Sequence, residues 1–549
     1  MPARPTSSSA ASPSAPAAAA SSATSPAPSV SPAPASPSSS TSPAPAASPA
    51  PASSSSATSP APSVSPAPAS LSSAAGLRPT LAPGAPFVSS QGAATRPGGT
   101  PPSPTAGPAA RGRSLAAVTV DDVLRYAADC LPASPGTRAV GVETEWLVVD
   151  RVASDTPVPP ERTSAALAPL VPAGQRVGPD GQAAPNVAGA VLPGGSRLTF
   201  EPGGQLELSG APLPLPDAVR AVRDDLTVVR AALADAGLAL VGLGLDPLRP
   251  PAHWLTDDRY VSMAGYWAAT GHECGRIMMC SSASVQINLD AGADRADIAR
   301  RWRLAHRLQP VLVAMFAASP VRLGKATGFG SARTRMWESL DPTRTRQVGP
   351  AQVSAADLAD RWAEYLLAAR LMMLRVDGEN PGLVAVRDGT TFGDWLRGAG
   401  PTSRPPGYDD LVLHATTVFP PVRPRGWLEI RYLDAQPGDG WLVPVAVTSA
   451  LLDDPIAAAG AAAACCDADE SWRAASVFGL RDDTLRRAAL TCVDLALDAL
   501  TRLGADDVTR SAVARFRAAF PARGRTPADL LTERFEEVGP AGLLRDQFR

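Results

Sequence analysis

Lysine is nearly missing from this chain: Lys325 stands alone among 50 basic residues, and the rest are arginine. A basic footprint for nucleic acid is missing too, because 52 acids leave a formal charge of −2. Histidine is held to four residues and cysteine to six. Neither is spaced as CxxC or HExxH, so no zinc site or disulfide scaffold is expected, and a reducing cytoplasm fits best. No run of about 18 apolar residues occurs, so no membrane span is expected. There is no GxxxxGK[ST] phosphate loop, since Gly324-Lys325 lacks the upstream glycine, and no dinucleotide fingerprint.

Acids are wholly absent from residues 1–112, which are almost entirely Ala, Pro, Ser and Thr. Such a stretch buries too little apolar surface to offset its ordering entropy and reads as a disordered tail. The run Ser21–Ser36 recurs as Ser55–Ser70, with no hydrophobic face to stack. Pro and Ser interrupt every candidate signal-peptide core. Residues 113–549 are then expected to be one catalytic unit, mildly acidic and helical from about 443.

Along that unit, Thr119 or Asp121 caps a short helix through Cys130. A Val-rich strand spans Ala139–Val149, and a Pro/Ala/Gly-rich loop or lid runs from about Ala153 to Gly195. Arg197–Ser209 reads as two short strands split by Pro202-Gly203-Gly204. Asp217 caps a helix whose Val219, Val222, Leu226, Val229 and Leu233 recur at helical spacing, and Gly237 stops it. Leu238–Leu245 and Ala283–Asp290 read as strands. Helices follow over Asp294–Ala318, interrupted at Pro310, and over Ala355–Arg375. Leu411–Val418 and Trp427–Leu433 read as further strands. Short turns between neighbouring strands favour an α+β fold with an antiparallel sheet.

In a strand, residues i and i+2 project to one side. Glu143 and Glu145 therefore share a face, as do Gln205 with Glu207, Gln286 with Asn288 and Asp290, and Glu429 with Arg431. The opposite faces are apolar. One solvated side is ordinary for an antiparallel sheet, but such sides carry mixed charges. These carry acids and amides, with Arg431 the one cation. Gathering carboxylates costs Coulomb energy unless cations lie between them. Hard oxygen donors select Mg²⁺ or Mn²⁺. Paired-carboxylate glycoside hydrolysis needs one acid and one base, and the surplus of Glu and the arginine argue against it.

The sequence also resembles a known family. Gly141-Val142-Glu143-Thr144-Glu145 and the run Glu201-Pro202-Gly203-Gly204-Gln205-Leu206-Glu207-Leu208-Ser209-Gly210-Ala211-Pro212 resemble the glutamate–cysteine ligases of the plant and actinobacterial type. Met278-Met279, Ser284-Val285-Gln286-Ile287-Asn288-Leu289-Asp290, the spaced Arg333, Trp337, Asp341 and Arg344, and Trp427-Leu428-Glu429-Ile430-Arg431 extend it. His414, Thr416-Thr417, Phe419-Pro420 and Val422-Arg423 also fit. The likeness is to the actinobacterial branch that supplies γ-glutamylcysteine for ergothioneine.

The resemblance implies a glutamine-synthetase-like curved antiparallel sheet with flanking helices, holding metals, ATP and glutamate on its polar face. It implies ATP-dependent ligation of L-glutamate, through an acyl phosphate, to the amine of L-cysteine, with release of ADP and phosphate. Glu143, Glu145, Glu201, Glu207 and Glu429 match positions that hold Mg²⁺ (Mn²⁺ is the alternative), with Glu143, Glu145 and Arg431 the catalytic set. Gln286 and Arg431 match nucleotide-contacting positions. Arg333, Arg335 and Asn288 are the substrate-binding candidates, with a surface salt bridge the alternative for either arginine. Glu201 could simply start a turn. A different amine acceptor, a guanidino-kinase-like phosphotransferase and a non-catalytic binding protein remain alternatives.

Overall fold

The longest strand, β1 (Ala139–Asp150), organises the fold, because four other strands pair with it. In this computed structural model the described residues are 117–548, apart from Thr137, 173–174, 176–185, 349–356, 377–380 and 469–470. The tail expected over 1–112 lies outside them. Strands β2 (Arg197–Phe200), β3 (Leu206–Ser209), β4 (Leu213–Pro214), β5 (Leu238–Val241) and β6 (Ser284–Leu289) follow β1 in the chain. Two small hairpins come next: β7 (Val321–Arg322) with β8 (Lys325–Ala326), and β9 (Met373–Val376) with β10 (Gly382–Ala385). The last strands are β11 (Val422–Pro424) and β12 (Leu428–Asp434).

The main sheet has eight strands in the order β11-β12-β6-β1-β3-β2, with β4 and β5 also paired to β1. All its pairings are antiparallel, and helices flank it, so the expected α+β class is the observed one. Its apolar face carries Val142, Trp146, Leu206, Leu208, Val285, Ile287 and Ile430 into the main core. The helices Leu215–Asp235, Arg295–Met315 and Leu442–Asp453 pack against the sheet from β1 to β12. From Leu442 onward every element is helical, as expected. Among the described residues no single helix is long and apolar enough to cross a membrane.

Several local expectations are corrected. Leu411–Val418 is not a strand: Tyr408–Ala415 is a helix, because Asp410 accepts from Gly407 N–H at its start and Leu411, His414 and Ala415 bury one helical face. The loop from 153 to 195 contains the helix Pro160–Leu167. The helix read from Asp217 starts earlier, at Leu215 after Pro214, where fixed proline geometry favours a first turn. Pro310 does not interrupt its helix, which runs unbroken over Arg295–Met315; burial of nearly all its last two turns outweighs one lost hydrogen bond. The helix expected to reach Arg375 ends at Ala368, and the chain continues into β9. β5 stops at Val241, because Gly242 lies against the Gln436 backbone, where a Cβ would meet the carbonyl oxygen at 1.9 Å.

Candidate active site

Register brings the polar residues together. Glu145 is the direct partner of Glu207 across β1 and β3, Glu143 of Gln286 across β1 and β6, and Glu429 of Asn288 across β12 and β6. Beyond Ile430, β12 carries one surplus residue, so that Leu433 rather than Tyr432 partners Val285. Such a bulge bends a strand and re-aims its side chains, and here it falls at Arg431. Above this face lies a cleft of about 500 Å³, a volume suited to small-molecule substrates. Its far wall comes from helices, through Arg259, Tyr260, Met278, Met279 and Trp337.

Glu201 enters from the turn after β2. Gly204 there has φ +82°, and its N–H donates to the Glu201 carbonyl at 2.8 Å. Gly203 presses on the helix Cys274–Ser281, where a Cβ would stand 2.2 Å from the Cys280 carbonyl oxygen. Glu201 therefore both starts a turn and lines the cleft.

Electrostatics divide the cleft in two. Burial pushes the Glu143 carboxyl up to about 7, helped by the charges of Glu207 and Glu429. Glu145 and Glu207 are also raised by burial; Arg333 offsets it for the first, while for the second the charge of Glu145 adds to it. Glu201 is raised well above the usual carboxylate range by burial and by Glu145 and Glu207. Glu207 accepts from Ser209 Oγ at 2.7 Å and Thr199 Oγ1 at 3.0 Å, and Glu145 from the Ser284 N–H at 2.9 Å. Among the described residues no three acid, histidine or cysteine side chains are already arranged about one ion position.

Glu429 belongs to the other half. Burial raises it, but Arg423, Arg431 and Arg425 win and hold it far below the usual range. Arg423 donates to both its oxygens, through Nε to Oε2 and through Nη2 to Oε1 at 3.0 Å; Arg425 adds a bond to Oε1 at 3.2 Å. Arg431 Nη1 stands 3.2 Å from the same oxygen. Arg431 also leaves a buried Nε without an acceptor among the described residues.

The remaining candidates are placed as follows. Gln286 bridges the halves, accepting from Arg431 Nη1 at 2.6 Å and donating to Glu145 Oε1 at 2.8 Å. Asn288 accepts from Trp427 Nε1 at 3.0 Å and donates to Glu143 Oε1 at 2.8 Å. Arg333 lines the cleft, donating to the Leu433 and Arg431 carbonyls with its Nε left unpaired. Arg335 turns to Glu338 and is absent from the cleft lining. Asp290 accepts from the Ala139 N–H at the sheet's end. His414 is buried, bonded to the Leu366 carbonyl and stacked on Phe392, a structural placement. Lys325 is exposed at the start of β8.

Sequence reasoning gave no role to Arg259, Tyr260 or Arg425. The first two lie on the helix Asp258–Ala269, where an arginine on an amphipathic pattern reads as surface. For Arg423 and Arg425 there was a usable signal, two cations at i and i+2 beside a strand that carries an acid.

Comparison with known proteins adds four findings. The profile of Glutamate-cysteine ligase family 2 (GCS2) matches residues 139–546. The glutamate–cysteine ligase EgtA of Mycolicibacterium smegmatis is 43% identical over 362 residues, which cover 65% of this chain and 82% of that protein. The chloroplastic glutamate–cysteine ligase of Arabidopsis thaliana is 31% identical over 378 residues, covering 62% and 66%. Among solved structures, a glutamate–cysteine ligase of Francisella tularensis in complex with AMP aligns with TM-score 0.47 and 14% identity, over 75% of this chain and 87% of that one.

Proposed function

This chain belongs to glutamate–cysteine ligase family 2 and is a ligase, and from that premise we propose that it joins the γ-carboxylate of L-glutamate to the amine of L-cysteine, spending ATP. The observation that carries the site assignment is the division of one sheet face into glutamates raised by burial and by one another and a glutamate surrounded by guanidiniums.

A carboxylate is a poor electrophile, so direct amide formation stalls. In the proposed sequence a γ-carboxylate oxygen attacks the terminal phosphorus of ATP and ADP leaves, giving an acyl phosphate. The cysteine amine then attacks the acyl carbon, phosphate departs with the bonding electrons, and the amine gives up a proton. Arg431 is assigned to stabilising charge on the transferred phosphoryl group, and its buried Nε, without an acceptor among the described residues, supports that role. Arg333, buried with a free Nε, is assigned to a substrate carboxylate.

Glu143, Glu145, Glu201 and Glu207 fit Mg²⁺, or equally Mn²⁺. They offer only hard oxygens, and each is raised because burial outweighs the arginine charges nearby. The lack of a ready three-acid cage suits a small ion that usually takes one or two carboxylates, substrate phosphates and water. When bound, the ion supplies positive charge beside phosphate oxygens. Glu429 would join that set only in competition with its guanidiniums, since both its oxygens already accept from Arg423.

The test is to incubate the full chain with ATP, Mg²⁺ and glutamate, with and without cysteine, following ADP and product mass. The expected result is cysteine-dependent γ-glutamylcysteine with ADP in equal amount. ADP without product, or product only with another amine, overturns the reading. We further assign the product to ergothioneine synthesis, on the likeness to the mycobacterial relatives. Loss of ergothioneine on deleting the gene checks that assignment.

A further inference from the structure

Two side-chain amides two residues apart on β6, and so on one face, are wired alike. Each accepts a hydrogen bond from the β12 side and donates one to the β1 side. An indole N–H and a guanidinium are donors only. Trp427 therefore takes the carbonyl oxygen of Asn288, and the amide NH₂ is left facing Glu143. Arg431 does the same through Gln286 to Glu145.

We propose that Trp427 is a positioning residue of the metal site, acting through Asn288 on the Glu143 carboxylate. The proposal rests on the reading of Glu143 as a metal-holding group. Trp427 is not among the residues lining the cleft, so it has no direct part in binding there. Its Nε1 fixes which end of Asn288 faces β1, and Asn288 Nδ2 ties down Glu143 Oε1. Oε2 is then the oxygen left for an ion.

Two further observations hold this chain of contacts in line. Gly141 is the backbone partner of Asn288, and a Cβ there would come within 3.1 Å of the Asn288 Cβ and 3.4 Å of its Nδ2. Any larger residue at 141 would displace the amide. On the other side the Arg425 guanidinium covers the Trp427 ring at 5.6 Å while bonding Glu429, which anchors the indole to the cationic half. Asn288 thus spends its carbonyl and one amide hydrogen on protein partners and acts through Glu143.

The test is Mn²⁺ binding to the full chain, read from the paramagnetic resonance of free and bound ion, for the wild type, E143Q, W427F, N288L and the W427F/N288L double variant. Phenylalanine keeps an aromatic ring under Arg425 and removes the donor together with one ring of the indole. W427F is expected to weaken the site lost in E143Q by about tenfold, as loss of outer partners of metal ligands commonly does. It should also alter the line pattern of the bound ion, and the double variant should bind no more weakly than N288L alone. Wild-type affinity in W427F, or effects of W427F and N288L that add, overturns the proposal. Should W427F fail to fold, G141A is the second probe, expected to weaken the same site, with unchanged affinity counting against the idea. Absence of Mn²⁺ binding in the wild type, or undiminished binding in E143Q, instead sinks the metal-site reading itself.

Discussion

Glu143 and Glu429 flank the same residue, Asn288, on one face of one sheet, and both are buried among polar groups. One is held up near neutrality and the other far below the usual carboxylate range. Burial raises both, so it is not the cause of the difference. The cause is company: Glu143 faces other glutamates, whereas Glu429 is clasped by Arg423, Arg425 and Arg431. The acidic half carries a surplus of carboxylates, and the arginine half sets three guanidiniums around one carboxylate. The first is the half proposed to take ions and the second the half proposed to meet phosphate.

The largest effect that would break this contrast is on catalysis. Glu145→Gln should lower kcat/KM by on the order of 10³, the scale of losing one well-placed electrostatic group. Its melting temperature in metal-free buffer should not fall, because a poorly tolerated buried charge has been removed. Near-normal turnover would take Glu145 out of the chemistry.

The arginine half should respond in the opposite sense. Arg423→Met leaves Glu429 without its two-point partner, and breaking a buried pair typically costs about 3–5 kcal/mol. Urea unfolding of R423M against the wild type measures this. A loss no greater than that of a surface variant would show the pair to be dispensable.

A smaller effect separates the halves by pH. A raised carboxyl such as Glu143 favours the fold below its ordinary value of 4.5, and that contribution is lost as pH climbs to about 7. Glu429, depressed, contributes above 4.5 and loses it only on acidification. In chelator, the melting temperature should therefore decline by a few degrees between about pH 5 and 7.5. Glu143→Gln should flatten the decline and saturating Mg²⁺ should erase it. An unchanged slope in E143Q would place the titration elsewhere. The smallest effect is reserved for Arg335→Ala, which removes a half-exposed pair with Glu338 and should leave kcat/KM within about twofold.

Much of the site was legible in the sequence because strand alternation is a local rule. Glu143 and Glu145, Gln286 and Asn288, Glu429 and Arg431 each share a face for that reason alone. What alternation cannot supply is pairing between strands far apart in the chain, so the meeting of Glu143 with Gln286 and of Glu429 with Asn288 needed the structure. The segment around Leu411 misled because Leu411-Val412-Leu413 is a short apolar run followed by the β-branched Thr416, Thr417 and Val418, while the Asp410 cap and helical burial decide otherwise. Arg259 and Tyr260 were invisible for a different reason: they reach the cleft from a helix of the opposite wall, and no spacing rule links that helix to the sheet. Arg335 shows the converse, a plausible cation whose nearest acid, three residues on, captured it.

The surplus residue in β12 has a consequence for how this protein can be improved or worn down. A ladder with one residue too many is locally disrupted, and that is the stretch that carries Arg431. Selection for heat tolerance alone would reward shortening it, and should recover single-residue deletions near Tyr432 that melt higher and no longer turn over. Selection for turnover would keep the irregularity and accept the lower melting point.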